Sequence, residues 1–376
     1  MRILLVILHA QRAKGGAEAY TLQLFHALRE AGHDPMLASS SFDADFPVQS
    51  RVPLAHDGLT RSRRYASFLN ALDAHLLTTD YDVIHAMLPV RRCDVYHPHA
   101  GIAARERGNL LNPRRRAFAA VERDLLTSKT PPVVLSLSSY IDAETRAAYP
   151  DRALRLERLM NAVDLRRFVP ASATSTRNTS TRVESTRVES KRAESKRAES
   201  TRAIAHAVIV AQDFVRKGVP ELLDAIRPLA ITLTVVGACD QPTWEKKIAR
   251  LGLTGRVRFV GVQSDVLPFY HDADFFVLPT RHDPCSLVVL EALACGLPVI
   301  TTMQNGAADV MTHGTHGFVL DRRAPFFVNE LTHALDRLAD PRARAPMAEA
   351  CRALRESLSY QHHFERLLSI YRSVAR

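Results

Sequence analysis

Phe275-Phe-Val-Leu-Pro-Thr-Arg-His-Asp-Pro-Cys-Ser-Leu-Val-Val-Leu-Glu-Ala-Leu-Ala-Cys-Gly-Leu-Pro-Val-Ile-Thr301 runs from a short apolar stretch through a polar turn and a helical stretch to a second apolar stretch. Phe275 to Leu278 and Pro298 to Thr301 read as strands, with a helix opening near Ser286 between them. The same alternation extends outward. Before this stretch, strands are expected at Ala207 to Ala211, Thr232 to Val236 and Val257 to Val260, with helices starting near Pro220, Pro242 and Ser264. In the first half, Ile3 to Leu8 reads as a continuous apolar strand. Ala17 to Ala31 reads as an amphipathic helix with Tyr20, Leu24, Ala27, Leu28 and Ala31 on one face and Gly32 as its stop. Further strands are expected at Asp82 to Ala86 and Val133 to Leu137. Short apolar strands separated by helices predict parallel sheets covered on both faces, so each half is expected to be a doubly wound α/β domain. Ligands in such folds bind beyond the carboxyl ends of the strands, and two facing domains would enclose a cleft.

The chain has 376 residues, which fits two domains of ordinary size. Hydrophobic residues make up 46% and charged residues 24%, a globular balance that excludes a collagen, a coiled coil and a wholly disordered chain. No apolar run reaches the roughly 18 to 20 residues a membrane-spanning helix needs. Met1 to His9 is too short and too soon followed by Arg12 and Lys14 for a signal peptide. Cys93, Cys239, Cys285, Cys295 and Cys351 form no CxxC pair, which points to reduced thiols in a cytoplasm.

The formal net charge is +10, a balance that attracts nucleic acid, anionic lipid or phosphorylated ligands. Between residues 171 and 203, eight Lys or Arg accompany four Glu, leaving +6 for the rest of the chain. Thr176 to Arg202 is a tandem pentapeptide repeat (TRNTS, TRVES, TRVES, KRAES, KRAES, TR) whose period of five suits neither helix nor strand. Its composition predicts a disordered polar linker. The expected organisation is therefore a first domain at residues 1–170, this linker at 171–203, a second domain at 204–355 and a C-terminal helix at 356–376 packing back on the first domain. A second basic run, Arg105 to Arg116, has five Arg against one Glu and is open to two readings, a solvated face or an anion-binding surface.

Three places carry candidate chemistry. Lys14-Gly15-Gly16-Ala17-Glu18 joins the first strand to a helix, and adjacent glycines before a helix N-terminus suit a phosphate or a sugar, or form a plain turn. Neither GxGxxG nor a P-loop is present there. Arg216-Lys217-Gly218 puts two cations beside a helix start, suited to a diphosphate or to a solvated turn. In the opening stretch Asp283 lies in the loop, Ser286, Leu287 and Val288 open the helix, and Glu291 sits inside it. A Glu in an apolar helix is costly without a hydrogen-bond partner, such as a vicinal diol. Two DxD triplets, Asp43 to Asp45 and Asp272 to Asp274, raise a metal; Asp274 precedes a strand, which favours an end-of-strand role. His313 and His316 read as a turn, and His362 and His363 as residues of an exposed C-terminal helix.

These segments, in order, resemble the family 4 retaining glycosyltransferases of the two-Rossmann GT-B type, and within them the lipopolysaccharide inner-core glucosyltransferases. The resemblance rests on GGAE at Gly15, DVIHA at Asp82, YHPHAG at Tyr96, LSSYI at Leu137, NAVDLRRF at Asn161, QDFVRKG at Gln212 and DPCSLVVLEALACGLPVITT at Asp283. It implies transfer of a hexose, glucose from UDP-glucose, to a lipopolysaccharide core or another cell-envelope saccharide; an exopolysaccharide or lipid-carrier acceptor is the alternative. Glu291 would hold the ribose hydroxyls and Asp283 the sugar hydroxyls, with the amides of Ser286, Leu287 and Val288 on the phosphate. Arg216 and Lys217 would neutralise the leaving diphosphate, Gly15 and Gly16 would close over the phosphates, and His99 would lie near the reacting sugar. Asp283 stands where the family has Glu, and Gln212 where many members have Arg, so Arg216 carries that charge. The resemblance implies no metal or other cofactor, a cytoplasmic location and a peripheral contact with anionic membrane. A nucleic-acid-binding protein is the reading of a different class, and the repeat, with no aromatic residue and a Glu in nearly every block, argues against it. A sugar-nucleotide-binding protein without turnover is the third.

Overall fold

The computed structural model describes residues 1–99, 101–103, 113–171 and 204–375. The pentapeptide repeat and most of the basic run from Arg105 lie outside the described residues. The chain divides into two compact units, Met1–Asn161 with Gln361–Arg376, and Ala162–Tyr360.

In the first unit the chain order is β1 (Arg2–Val6), α1 (Gly16–Glu30), β2 (Asp34–Ser39), β3 (Arg51–Pro53), α2 (Arg61–Leu76), β4 (Val83–Ala86), β5 (Val95–Tyr96), α3 (Pro113–Leu126), β6 (Val133–Ser136), α4 (Ser139–Ala148) and β7 (Leu156–Arg158). The strands form one sheet in the order β3-β2-β1-β4-β5-β6-β7, and every described pairing is parallel. β1 shows how the sheet is covered. Its alternate residues Ile3 and Leu5 pack with Leu24, Phe25 and Leu28 of α1, while Leu4 and Val6 pack with Tyr65, Phe68, Leu69 and Leu72 of α2. Ala31, expected on the buried face of α1, is exposed as its C-cap. Leu367, Ile370 and Tyr371 of the last helix, Tyr360–Val374, join the α1 side of this core.

In the second unit follow β8 (Ala205–Val210), α5 (Val219–Ile226), β9 (Ile231–Val236), α6 (Gln241–Arg250), β10 (Val257–Phe259), α7 (Leu267–Asp272), β11 (Phe275–Leu278), α8 (Leu287–Ala294), β12 (Val299–Thr302), β13 (Gly317–Leu320), α9 (Phe327–Ala339) and α10 (Pro341–Ala353); the last helix is α11. The sheet runs β10-β9-β8-β11-β12-β13, again parallel. Both sheets are thus doubly wound with the order reversing beside their first strand, the expected Rossmann-like class.

The sequence placed the start of the second domain after the repeat, whereas the compact unit already includes Ala162 to Phe168. The cause is Arg355, whose Nη2 donates to the carbonyl of Leu165 at 3.1 Å and whose Nη1 donates to that of Phe168 at 2.7 Å. Val163 N–H also donates to the carbonyl of Leu358 at 2.9 Å.

Candidate active site

The reversal of strand order in the second unit lies between β8 and β11, so the loops that leave these two strands are neighbours. Gly218 sets how closely they meet. It has φ +80°, and a Cβ there would come within 2.1 Å of the carbonyl oxygen of Pro279, so only glycine fits both the conformation and the space. The two loops are then stitched together. Arg281 N–H donates to the carbonyl of Arg216 at 2.8 Å, and Arg216 Nη1 donates to the carbonyl of His282 at 3.1 Å. Lys217 Nζ forms an ion pair with Asp283 Oδ2, with 13% and 10% of the two side chains exposed. Two of the sequence-derived site residues are therefore in direct contact, and Arg216 lies on the same seam. Arg216 is half exposed and also faces Asp213, Nε to Oδ2 at 3.4 Å.

Asp283 is fixed through its main chain. Its N–H donates to the carbonyl of Gln304 at 2.9 Å and its carbonyl accepts from Gly306 N–H at 2.9 Å, which splices the loop to the one after β12. Asn305, between those two residues, organises the start of α8. Its Oδ1 accepts from the Ser286 N–H at 3.2 Å and the Ala307 N–H at 3.1 Å, and its Nδ2 donates to Thr301 Oγ1 at 2.9 Å. The Ser286 amide, expected on a phosphate, is thus turned to Asn305, and Leu287 and Val288 follow in the helix's opening turn, where amides lack intrahelical acceptors. Sequence reasoning missed Asn305. Its signal was the Asn-Gly step just past an apolar strand.

Glu291 is the fifth residue of α8. Its Oε2 accepts from the Tyr270 hydroxyl at 2.9 Å, so its partner within the chain is a phenol from α7. Burial pushes its pKa up, opposed by the Tyr270 hydrogen bond and by the charge of Arg167. Arg167 is held by Asp265 at 2.9 Å. Arg167 lies in the NAVDLRRF motif but with no sign of a tie to Glu291, and Tyr270 carried no recognisable signal, because both connections span distant elements.

In the first unit Gly15 has φ 166°, extended backbone open to any residue, and Gly16 is the first residue of α1. A Cβ on Gly15 would meet only the flexible end of Glu18, at 2.9 Å, and one on Gly16 would meet nothing within 4 Å. The chain itself does not demand the two glycines, so any steric demand there comes from a ligand.

His99 belongs to a buried aromatic cluster. Its ring lies 3.9 Å from that of His97 and 4.7 Å from that of Tyr20, centroid to centroid, and His97 lies 5.5 Å from His85. His85 Nδ1 and the Tyr371 hydroxyl share a hydrogen bond of 2.6 Å. Burial pushes His99 down to about 3 and His85 and His97 well below the usual histidine range, each helped by neighbouring histidines. The rings are therefore neutral. Both ring nitrogens of His97 are buried with no hydrogen-bond partner among the described residues.

His363, expected on an exposed helix, is instead buried in this cluster. Its Nδ1 donates to the carbonyl of Met160 at 2.7 Å and its Nε2 accepts from the Tyr20 hydroxyl at 2.8 Å. Helical spacing explains the correction, since His363, Leu367, Ile370 and Tyr371 share one face of α11. His313 stays in a turn, where its Nδ1 and the main chain of Val319 meet at 2.9 Å. Asp274 closes a strand end: its Oδ2 accepts from His206 N–H at 2.9 Å and its Oδ1 pairs with Arg344 at 2.9 Å. Asp43 and Asp45 hold Arg12, through its main chain at 3.1 Å and its guanidinium at 3.3 Å. All five cysteines are free thiols. No described helix is long and apolar enough to cross a membrane.

Sequence profiles match both halves of the chain, "Glycosyltransferase Family 4" over residues 14–167 and "Glycosyl transferases group 1" over residues 205–340. Over 108 residues the chain is 37% identical to the lipopolysaccharide core biosynthesis glycosyltransferase LpsE of Rhizobium meliloti (strain 1021), covering 28% of this chain and 32% of LpsE. The alignments with LpsE and with a mannosyltransferase of Mycolicibacterium smegmatis span only 32% and 38% of those relatives' length. Over 336 residues it is 25% identical to the lipopolysaccharide glucosyltransferase WaaG of Escherichia coli (strain K12), covering 85% of each. The crystal structure of WaaG, a glycosyltransferase involved in lipopolysaccharide biosynthesis, superposes with a TM-score of 0.75 at 20% identity, covering 98% of this chain and 99% of that one. Anabaena HepE in complex with UDP-glucose gives 0.70 at 19% identity, covering 99% and 100%. With one profile on each side of the repeat, two sheets wound in the same order and the fold of WaaG over nearly its full length, the chain belongs to the family 4 glycosyltransferases of GT-B fold.

Proposed function

We propose that the chain is a retaining hexosyltransferase that moves glucose from UDP-glucose to a lipopolysaccharide core or related cell-envelope saccharide. The observation that carries this reading is the Lys217–Asp283 ion pair at the β8–β11 switch point, next to the start of the helix that bears Glu291. WaaG by its name and HepE by its complex support the donor and the acceptor class.

Breaking the bond from the anomeric carbon to the diphosphate leaves positive charge on the sugar ring and negative charge on the phosphate. Arg216 and Lys217 meet the second of these, and the dipole of α8 adds to them through the amides of Leu287 and Val288. Asp283 holds Lys217 in place and offers its other oxygen to the sugar hydroxyls. Glu291 Oε1 has no hydrogen-bond partner among the described residues and accepts from a ribose hydroxyl, while Tyr270 fixes Oε2. His99, neutral, is a hydrogen-bonding group for the reacting sugar, and the turn at Gly15 and Gly16 suits the donor phosphates. Cations and amides supply the leaving-group charge, so the step runs without a metal. The protein acts at the cytoplasmic face of the membrane, where the acceptor lipid is.

Incubation with radiolabelled UDP-glucose, UDP-galactose and GDP-mannose, each with envelope lipid extract and with or without EDTA, tests this. Glucose should enter the lipid fraction from UDP-glucose and EDTA should leave the rate unchanged. Labelling from another donor alone would replace the donor, and loss with EDTA that manganese restores would overturn the metal-free step.

A further inference from the structure

Glu122, in the third turn of α3, is fully buried and lies outside the site described above. Its Oε2 accepts from the Tyr96 hydroxyl at 2.7 Å and from the Ala103 N–H at 2.9 Å, and its Oε1 accepts from the Tyr149 hydroxyl at 3.1 Å. Burying a carboxylate is expensive, and apolar side chains of similar volume are often as stable or more so. What the hydrogen bonds to Tyr96 and Ala103 accomplish is positional. Tyr96 ends β5 and Ala103 lies seven residues on, so one carboxylate ties down both ends of the segment that carries His97 and His99. α3 is itself anchored, since Phe118 stacks on Tyr65 of α2 with ring centroids 4.3 Å apart. Between the ties, His97 N–H donates to the carbonyl of Ala86 at 2.8 Å and Gly101 N–H to that of Pro98 at 2.9 Å, so the ties at the two ends complete a set of contacts that fixes the turn.

We infer that Glu122 is a positioning residue for sugar transfer, holding the His97–His99 turn through Tyr96 and Ala103 so that the His99 imidazole meets the reacting sugar. It touches no substrate itself. This rests on the proposed role of His99, and the test separates the two.

Transfer from UDP-glucose to envelope lipid extract is measured for the full-length chain and for Glu122→Ala, Glu122→Gln, Tyr96→Phe, His99→Ala and the double variant Glu122→Ala/His99→Ala, with UDP affinity measured by calorimetry. Glu122→Ala should lower kcat by roughly 10- to 100-fold with UDP affinity within about twofold, because Glu122 touches none of the residues proposed to hold the donor. Glu122→Gln keeps an acceptor oxygen and should recover most of kcat, and Tyr96→Phe should show a smaller loss than Glu122→Ala. In the double variant the Glu122 substitution should cost almost nothing beyond His99→Ala, as expected of residues acting in series. If His99→Ala slows transfer but the two losses multiply, Glu122 is only structural and this inference falls alone. If His99→Ala turns over normally, the His99 assignment and the inference fall together. Should Glu122→Ala not fold, unchanged kcat in Tyr96→Phe overturns the clamp.

Discussion

Glu291 carries a stability cost, and one substitution tells that cost apart from the donor-binding role proposed for it. Its carboxylate is destabilised by burial, with Tyr270 and Arg167 only partly offsetting the cost. Glu291→Ala should therefore keep the fold, with a thermal midpoint at or above that of the parent, while transfer is abolished and UDP-glucose binding weakens. Near-normal turnover would remove Glu291 from the donor site. For Arg216 and Lys217 the expectation runs through the leaving group. The paired substitution Arg216→Ala and Lys217→Ala should slow turnover by at least about 10²-fold, since removing charge stabilisation where a negative charge develops typically costs a few kcal/mol. Asp283 then loses the cation beside it, so Lys217→Met alone should weaken donor binding more than Asp213→Asn, whose partner Arg216 is half exposed. Steady-state kinetics with increasing UDP-glucose distinguishes these cases, and equal effects of the two single variants would sink the ranking.

The loops at the carboxyl ends of β8, β11 and β12 work as a unit, and Asn305 is its joint. Asn305→Ala leaves the Ser286 and Ala307 amides without their acceptor in a buried setting, while the Thr301 hydroxyl keeps its bond to the Leu278 carbonyl. Each unsatisfied buried group costs about 1–3 kcal/mol, so urea unfolding should show a loss of that order and KM for UDP-glucose should rise as α8 loses its fixed start. A stable variant with unchanged KM would show that the helix start is set elsewhere. The strands and loops around this joint were largely legible in sequence. Phe275–Leu278 is the predicted strand without change, and β8, β9 and β12 shift by one or two residues, because apolar runs buried on both faces leave one reading; β10, at the sheet edge with Arg258 exposed, ends one residue early. β5, with two residues, and β7, at the sheet edge with no buried residue, were illegible because too little apolar pattern remains in them. α7 opens at Leu267 with Pro268 in its first turn, three residues past the expected Ser264, since Pro suits a helix's first turn. Asp283 and Glu291 stand out in the sequence through the resemblance of their segment to the family motif, whereas Asn305, Tyr270 and Glu122 make contacts between distant elements that no local pattern encodes.

The buried groups whose pKa is shifted furthest differ between the two compact units, and with them the response to mild acid. In the first unit His85, His97 and His99 are held neutral by burial, His99 with a pKa of about 3. A histidine whose folded value lies below its ordinary 6.5 binds its proton first in the unfolded chain. Its contribution to stability is therefore fully present above pH 6.5 and drains as pH falls toward the folded value. In the second unit Glu291 has a raised value and takes up its proton first in the folded chain, so acid relieves its cost. Hydrogen exchange, corrected for intrinsic rates, should register this difference between pH 7.5 and pH 5.5. Amides of β4, β5 and α11 should lose protection by at least about tenfold, while those of β8, β11 and α8 hold theirs. His85→Phe should blunt the acid response of the first unit, since it removes one of the three proton acceptors and leaves a ring of similar shape beside Tyr371. Equal loss in both units, or none in the first, would mean that water or a bound group already satisfies these imidazoles and that burial does not set their protonation.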